Sequence, residues 1–433
     1  MYLKIMIQMT HPHVSVFLNI NKDYHSLQKI QEKKLRFLAN YAYNKVAYYN
    51  KVFKIYDIKP NNIRTLGDIK KIPILNRMDI VKNYPQSIVS KSFNVKKCYE
   101  RSTSGSSGIP ITVAFDNFSV RNYELIGIRS LLLTGHKILD RIAYIWYPPF
   151  RKDRLYERLG ILKKTYISVD NTPELILEKL AKINYKTIYC YPSVLFEIAK
   201  KLDNSNYKIK PKRIITQGEL LTKEVRKFIE EKFDCKTFNH YGTTEFYIIA
   251  SECRYHDGMH VNMDNLIVEI KNKDGNTSID YGKGSFIITG LTNKAMPLIR
   301  YEIGDIGSIK NEKCNCGLEF PKIDLFEGRN DDFIQLPSGK IIGPRKIATN
   351  LYKIFTFTNK IEKYRIVQNM TEKFIVDIVP GNKFNENVIT EFKNILQKVL
   401  EEPVTIKIKI KKNIPKNLHG KLRSIESKVK IRE

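Results

Sequence analysis

Apolar residues recur at helical spacing through LQKIQEKKLRFLANYAYNKVAYYN, with basic residues between them, and this predicts an amphipathic helix from Tyr24 to about Phe53. After Pro60 come short helix-and-loop pieces punctuated by Pro73 and Pro85. Further on, strand-like runs, RIAYIWY (141–147), KTIYCY (186–191) and KRIITQG (212–218), alternate with segments of helical period, TPELILEKLAKI (172–183) and TKEVRKFIEEKF (222–233). That alternation argues for a parallel α/β sheet.

From about Asn262 to Ile309 the pattern changes to short β pieces separated by DG and GKG turns. From about Asp331, strands (KYRIVQ, KFIVDIV, VTIKIKI) mix with a helical segment, NENVITEFKNILQKVL, as in a small α+β domain. The expected fold class is therefore α/β: a large N-terminal domain over residues 1–330 with parallel strands and a β-rich subregion, and a small C-terminal α+β domain over 331–433.

The chain has 433 residues, enough to bury a sizeable core, and its 42% hydrophobic and 27% charged residues are ordinary globular composition. No apolar run approaches the roughly 18 to 20 residues of a membrane helix. The apolar N-terminal stretch is broken by His11, Pro12 and His13 and lacks a clear cleavage site, so a cytoplasmic protein is expected. Six cysteines without an export signal argue against a disulfide framework. The net charge of +29 raises nucleic acid as a partner, yet most of it is spread along the chain. Only Pro403–Arg432 concentrates it, with ten Lys or Arg against Glu426, and that stretch is either an anion-binding face or a solvated one.

Three features could carry chemistry. The loop STSGSSGIP (102–110) offers backbone N–H groups and hydroxyls that can wrap phosphate oxygens, although its composition also fits a surface linker. It lacks the GxxxxGK[ST] spacing of the P-loop hydrolases. CxxHxxxH at 253–260 and CxCG at 314–317 supply three sulfur and two nitrogen candidates, enough for a tetrahedral zinc site. No GxSxG elbow marks a nucleophilic serine.

The ordered set RSTSGSSGIP (101–110), TQGE (216–219), NHYGTTE (239–245), PLIRYEIGDIG (297–307), EGRNDD (327–332) and HGKLRS (419–424) resembles the adenylate-forming superfamily, within it the phenylacetate-coenzyme A ligase and CapK-like branch. The resemblance runs from about residue 25 to the C-terminus. It implies that Ser102, Thr103, Ser104, Gly105, Ser106, Ser107 and Gly108 hold the β and γ phosphates of ATP, although Ile109 stands where many relatives carry Lys. It places Gln217, Gly218 and Glu219 beside the adenine pocket, and Tyr241, Gly242 and Thr243 in the nucleotide site, with the Tyr241 ring on adenine. Thr244 would bond the α-phosphate and Glu245, a hard oxygen ligand, would hold Mg²⁺. Asp305 would accept from both ribose hydroxyls, which suits a group with two acceptor oxygens and no donor. Arg329 would add a ribose or phosphate contact, Asp331 would be the hinge, and Lys421 the mobile cation that meets the transition state. Within the cysteine set the resemblance favours Cys253, His260, Cys314 and Cys316 as structural zinc ligands, with His256 as the substitute.

What this implies is an enzyme that activates a small carboxylic acid with ATP and Mg²⁺ and passes the acyl group to coenzyme A. A CapK-like alternative passes the acyl or adenylyl group to an amine or hydroxyl in polysaccharide biosynthesis. A basic nucleic-acid-binding protein is the reading from another class. The small-molecule reading needs neither nucleic acid nor a membrane span, and relatives are often dimers.

Overall fold

The computed structural model describes residues 13, 15–103, 111–146, 153–203, 205–272, 274–329, 334–342, 347, 350–351, 360–415 and 424–429. The chain divides into two compact units, one of 1–138 with 238–324 and one of 139–237 with 325–433.

In the first unit, the N-terminal amphipathic segment forms two helices, Tyr24–Lys45 and Ala47–Ile55, where the apolar spacing predicts one. Val46 between them is extended and buried, and the Tyr48 N–H turns to the Ser87 carbonyl at 2.9 Å. The first helix starts on Asp23, whose side chain accepts from Ser26 N. Its Leu35, Leu38, Ala39 and Ala42 pack with Tyr49 and Phe53 of the second helix, and with Ile267 and Ile299. Roughly 1.5 to 3 kcal/mol per large buried side chain fixes this helical pair on the strands behind it.

Those strands follow the order Thr277–Ser278, Leu266–Lys271, Gly282–Gly290, Tyr301–Lys310, Lys322–Arg329, Met259–Val261, Tyr247–Glu252, Thr237–Thr243. The pairings 266–271 with 282–290 and 282–290 with 301–310, inside the turn-rich segment read as short β pieces, are antiparallel, and so is the pairing of 237–243 with 247–252, which lies outside that segment. Two buried ion pairs brace the unit: Arg129 to Asp264 at 2.8 Å and Arg300 to Glu269 at 2.9 Å. The Arg129 guanidinium also reaches Asn262 Oδ1 and the Val16 carbonyl, so the desolvated charge is hydrogen-bonded on several sides.

In the second unit, the strands Arg213–Gln217, Thr187–Cys190, Ile142–Trp146 and Lys164–Ser168 lie side by side in that order and are parallel. Helices Pro173–Lys182, Pro192–Leu202 and Lys223–Phe233 connect them or follow them. Thr172 and Thr222 cap the first and third, and Pro173 and Pro192 occupy first-turn positions where a missing N–H costs nothing. Ile145, Ile188, Leu195, Ile214 and Ile229 lie in one core.

Residues 334–425 bury a separate core around Tyr364, Phe374, Phe392 and Leu396. There the antiparallel pair Ile361–Met370 and Lys373–Pro380 is flanked on each side by a parallel strand, Ile425–Ser427 and Thr405–Ile410. The helix Asn387–Leu400 supplies Val388, Phe392 and Leu396 from one face. The fold is α/β with a small α+β portion at the C-terminal end. Among the described residues no helix is long and apolar enough to cross a membrane.

Candidate active site

The glycine loop springs from a hairpin. Strands Tyr99–Ser102 and Thr112–Phe115 pair antiparallel, and Ser102 Oγ lies 2.9 Å from Thr112 Oγ1. One step further, Thr103 N donates to the Ile111 carbonyl at 2.9 Å while Ile111 N donates to Thr103 Oγ1 at 3.0 Å. Ser102 and Thr103 therefore form the neck of the loop. Ser104, Gly105, Ser106, Ser107 and Gly108, together with Ile109, lie outside the described residues. On the hairpin, the Arg101 guanidinium sits 4.4 Å from the centre of the Tyr247 ring, which stacks on Tyr123 at 4.7 Å.

NHYGTTE ends one strand and turns into the next. Asn239 to Thr243 complete Thr237–Thr243, Thr244 and Glu245 stand in the turn, and Tyr247 opens the returning strand with φ of 58°. Phe246 N donates to Thr243 Oγ1. The turn leaves Thr243 and Thr244 half-buried and Glu245 buried. Oε2 of Glu245 has no hydrogen-bond partner among the described residues. A buried carboxylate oxygen in that condition is costly unless a cation or donor meets it, and a hard cation such as Mg²⁺ fits.

Asp305 sits on Tyr301–Lys310 between Gly304, whose φ is 82°, and Gly307. A Cβ on Gly307 would stand 2.4 Å from the Asp324 carbonyl oxygen, so the strand can run this close only with glycine there. Tyr241 donates to Asp305 Oδ2 at 2.6 Å, which brings two of the sequence-predicted nucleotide residues together.

In the second unit, TQGE closes the parallel strand Arg213–Gln217, and Gly218 takes a φ of 89°. Gln217 Oε1 accepts from the Tyr189 hydroxyl. Glu219 accepts from both N and Oγ of Ser193, at 2.9 and 3.0 Å, and so anchors the turn to the first turn of Pro192–Leu202. Four aromatics on and just after these parallel strands stack in pairs: Trp146 on Tyr191 at 4.1 Å and Tyr144 on Tyr189 at 4.7 Å. Tyr189 and Tyr191 are buried, whereas Tyr144 and Trp146 are half-buried. Arg329 ends the strand Lys322–Arg329, and its side chain is outside the described residues, as are Asp331 and Lys421.

The cysteine constellation also assembles. The ligand atoms of Cys253, His260, Cys314 and Cys316 all lie within 4.8 Å of one another. Cys253 Sγ and Cys314 Sγ are 3.7 Å apart, and Cys316 Sγ is 3.3 Å from His260 Nε2. His260 Nδ1 faces the Phe320 carbonyl at 3.2 Å, which directs Nε2 to the sulfurs. Burial lowers the His260 pKa, favouring the neutral ligand form, and pushes the Cys316 thiol up to about 12, so thiolates there call for a cation. His256 instead stacks on Phe238 at 4.4 Å with Nδ1 3.5 Å from Glu252, outside the cluster.

The CapK C-terminal domain family matches residues 337–428. The chain is 26% identical over 319 residues, 71% of each protein, to a phenylacetate-coenzyme A ligase of Thermus thermophilus. It is 24% identical over 398 residues to Protein CapK of Staphylococcus aureus, covering 88% of this chain and 83% of that one. A crystal structure of 2-hydroxyisobutyryl-CoA ligase in its postadenylation state superposes with a TM-score of 0.77 at 17% identity, over 96% of this chain and 94% of the other. The chain is thus similar over most of its length to phenylacetate-CoA ligases and to Protein CapK, and it shares the fold of a CoA ligase.

Two residues that hold motif positions escape a reading by motif. Arg77, in the first turn of Arg77–Asn83, donates from Nη2 to Thr103 Oγ1 at 3.0 Å. Ser193 holds Glu219. The only sequence signal for either is a helix start, Asn-Arg-Met-Asp or Pro-Ser, with nothing to name the partner.

Proposed function

We propose that this protein is an adenylate-forming enzyme, an AMP-forming acyl- or aryl-CoA ligase. The substrate carboxylate oxygen attacks the α-phosphorus of ATP, the bond to the β-phosphate oxygen breaks, and pyrophosphate leaves. The coenzyme A sulfur then attacks the acyl carbon and AMP departs. The observation that carries this reading is Glu245, buried in the turn after Tyr241 with an oxygen that has no described partner.

In this reading the loop 102–108 grips the β and γ phosphates, Thr244 bonds the α-phosphate, and Asp305, oriented by Tyr241, receives the ribose. Glu245 would hold Mg²⁺, and the ion would supply positive charge against the polyphosphate. Gln217, Gly218 and Glu219 form the adenine edge. Gly242 and Thr243, which end the strand Thr237–Thr243 beside Tyr241, belong to the nucleotide site.

We further assign residues 331–433 to a mobile C-terminal domain, with the hinge at Asp331 and with Lys421 as the cation that meets the charge developing on phosphorus. Its separate core and the CapK C-terminal match at 337–428 support that division from residues 1–330. Arg329 would contact ribose or phosphate. Cys253, His260, Cys314 and Cys316 would hold a structural Zn²⁺, with all four positions filled by protein. A cytoplasmic location and a homodimer complete the reading.

The similarity to Protein CapK and the C-terminal match favour a second reading, in which the same adenylating chemistry serves an amine or hydroxyl acceptor. Assaying AMP release with each acid, with and without coenzyme A, separates the two. Release that requires coenzyme A and yields a thioester supports the ligase, and release with an amine or hydroxyl acceptor alone supports the second.

A further inference from the structure

The phosphate loop has no lysine, so the charge and order it needs must come from elsewhere. Thr103 Oγ1 accepts two hydrogen bonds, from Ile111 N and from Arg77 Nη2, each at 3.0 Å. A hydroxyl has two lone pairs and one hydrogen, and both partners here are donors, so its hydrogen is left to donate. Thr103 is only 4% exposed, so bulk water competes little for that hydrogen at the neck of the loop.

Arg77 is itself fixed. Asn76 caps its helix in a reciprocal box with Asp79, at 3.1 and 3.0 Å. Two residues before Arg77, Leu75 is bonded to the segment that enters the Asp305 strand: Leu75 N donates to the Arg300 carbonyl at 2.9 Å and Glu302 N to the Leu75 carbonyl at 3.0 Å. The loop neck and the Asp305 strand thus share one support.

We infer that Arg77 is a positioning residue for the phosphate loop: it holds Thr103 so that the hydroxyl donates to a β- or γ-phosphate oxygen of a nucleoside triphosphate. The guanidinium also polarises that hydroxyl, which strengthens the bond it donates. This inference rests on the ATP-dependent reading of the site.

The test uses the full chain, with MgATP affinity by calorimetry and pyrophosphate exchange, for Arg77→Met, Arg77→Lys, Thr103→Val and the Arg77→Met/Thr103→Val double variant. Arg77→Met is expected to weaken MgATP by roughly tenfold or more while the acid KM moves less than about twofold. Arg77→Lys recovers part of that loss, and the double variant is no weaker than Thr103→Val alone. MgATP affinity unchanged in Arg77→Met, or losses that multiply in the double variant, overturns the inference. Should Arg77→Met fail to fold, Arg77→Lys and Thr103→Val decide by the same affinities. MgATP binding that depends on Arg77 without exchange for any acid supports the inference while removing the ligase reading. No MgATP binding by the unaltered chain overturns both.

Discussion

The Tyr241 hydroxyl donates to Oδ2 of Asp305 at 2.6 Å, a buried bond between residues 64 positions apart. It ties the strand that leads into Thr244 and Glu245 to the strand that carries Asp305, the proposed ribose acceptor. Tyr241→Phe keeps the ring and removes the donor. It is expected to cost about 1 to 3 kcal/mol in unfolding free energy and to raise the KM for MgATP more than that for the acid. Denaturant unfolding and initial rates read the two effects.

Glu245→Gln keeps the shape of the side chain and removes its charge. Since Oε2 has no described partner, thermal stability should hold or rise, while pyrophosphate exchange falls by roughly a hundredfold or more through loss of the proposed cation ligand. A melting curve beside an exchange assay separates a catalytic loss from a folding one.

His240 gives the fold an acid limit. Burial pulls its imidazole from the ordinary 6.5 down to about 4, against the opposing pull of Glu252. The unfolded chain therefore binds the proton first. Stability from this group is complete above pH 6.5, falls between pH 6.5 and about 4, and levels below that, a loss of about 3 kcal/mol in all. Urea unfolding at several pH values should show that slope, and His240→Gln should flatten it.

Metal analysis of protein purified without chelator should find one zinc per chain, lost when Cys314→Ser and Cys316→Ser are combined. Because bound thiolates must first lose their protons, zinc release by a chelator should become easier as pH falls. Zinc retained in the double variant would place the metal elsewhere.

Much of this arrangement is legible in the sequence where the signal is local. The strands at 142–146, 187–190 and 213–217 fall inside their predicted runs, because short apolar runs between helical periods have few other solutions. The break at Val46 is not legible, since helical spacing continues across it and the deciding bond, Tyr48 to Ser87, is tertiary. Spacing also left His256 and His260 as alternatives. Only the fold shows that one meets the sulfurs and the other meets Phe238. Arg77 and Ser193 each act on a residue 26 positions away, beyond the reach of any motif.

The central claim, activation of a carboxylate by ATP, is tested most directly by acid-dependent exchange of pyrophosphate into ATP across aryl, fatty and amino acids. Exchange that appears with one class of acid, needs Mg²⁺ and precedes any use of coenzyme A is the predicted result. Tight MgATP binding with no acid-dependent exchange and no AMP formation for any acid would contradict it.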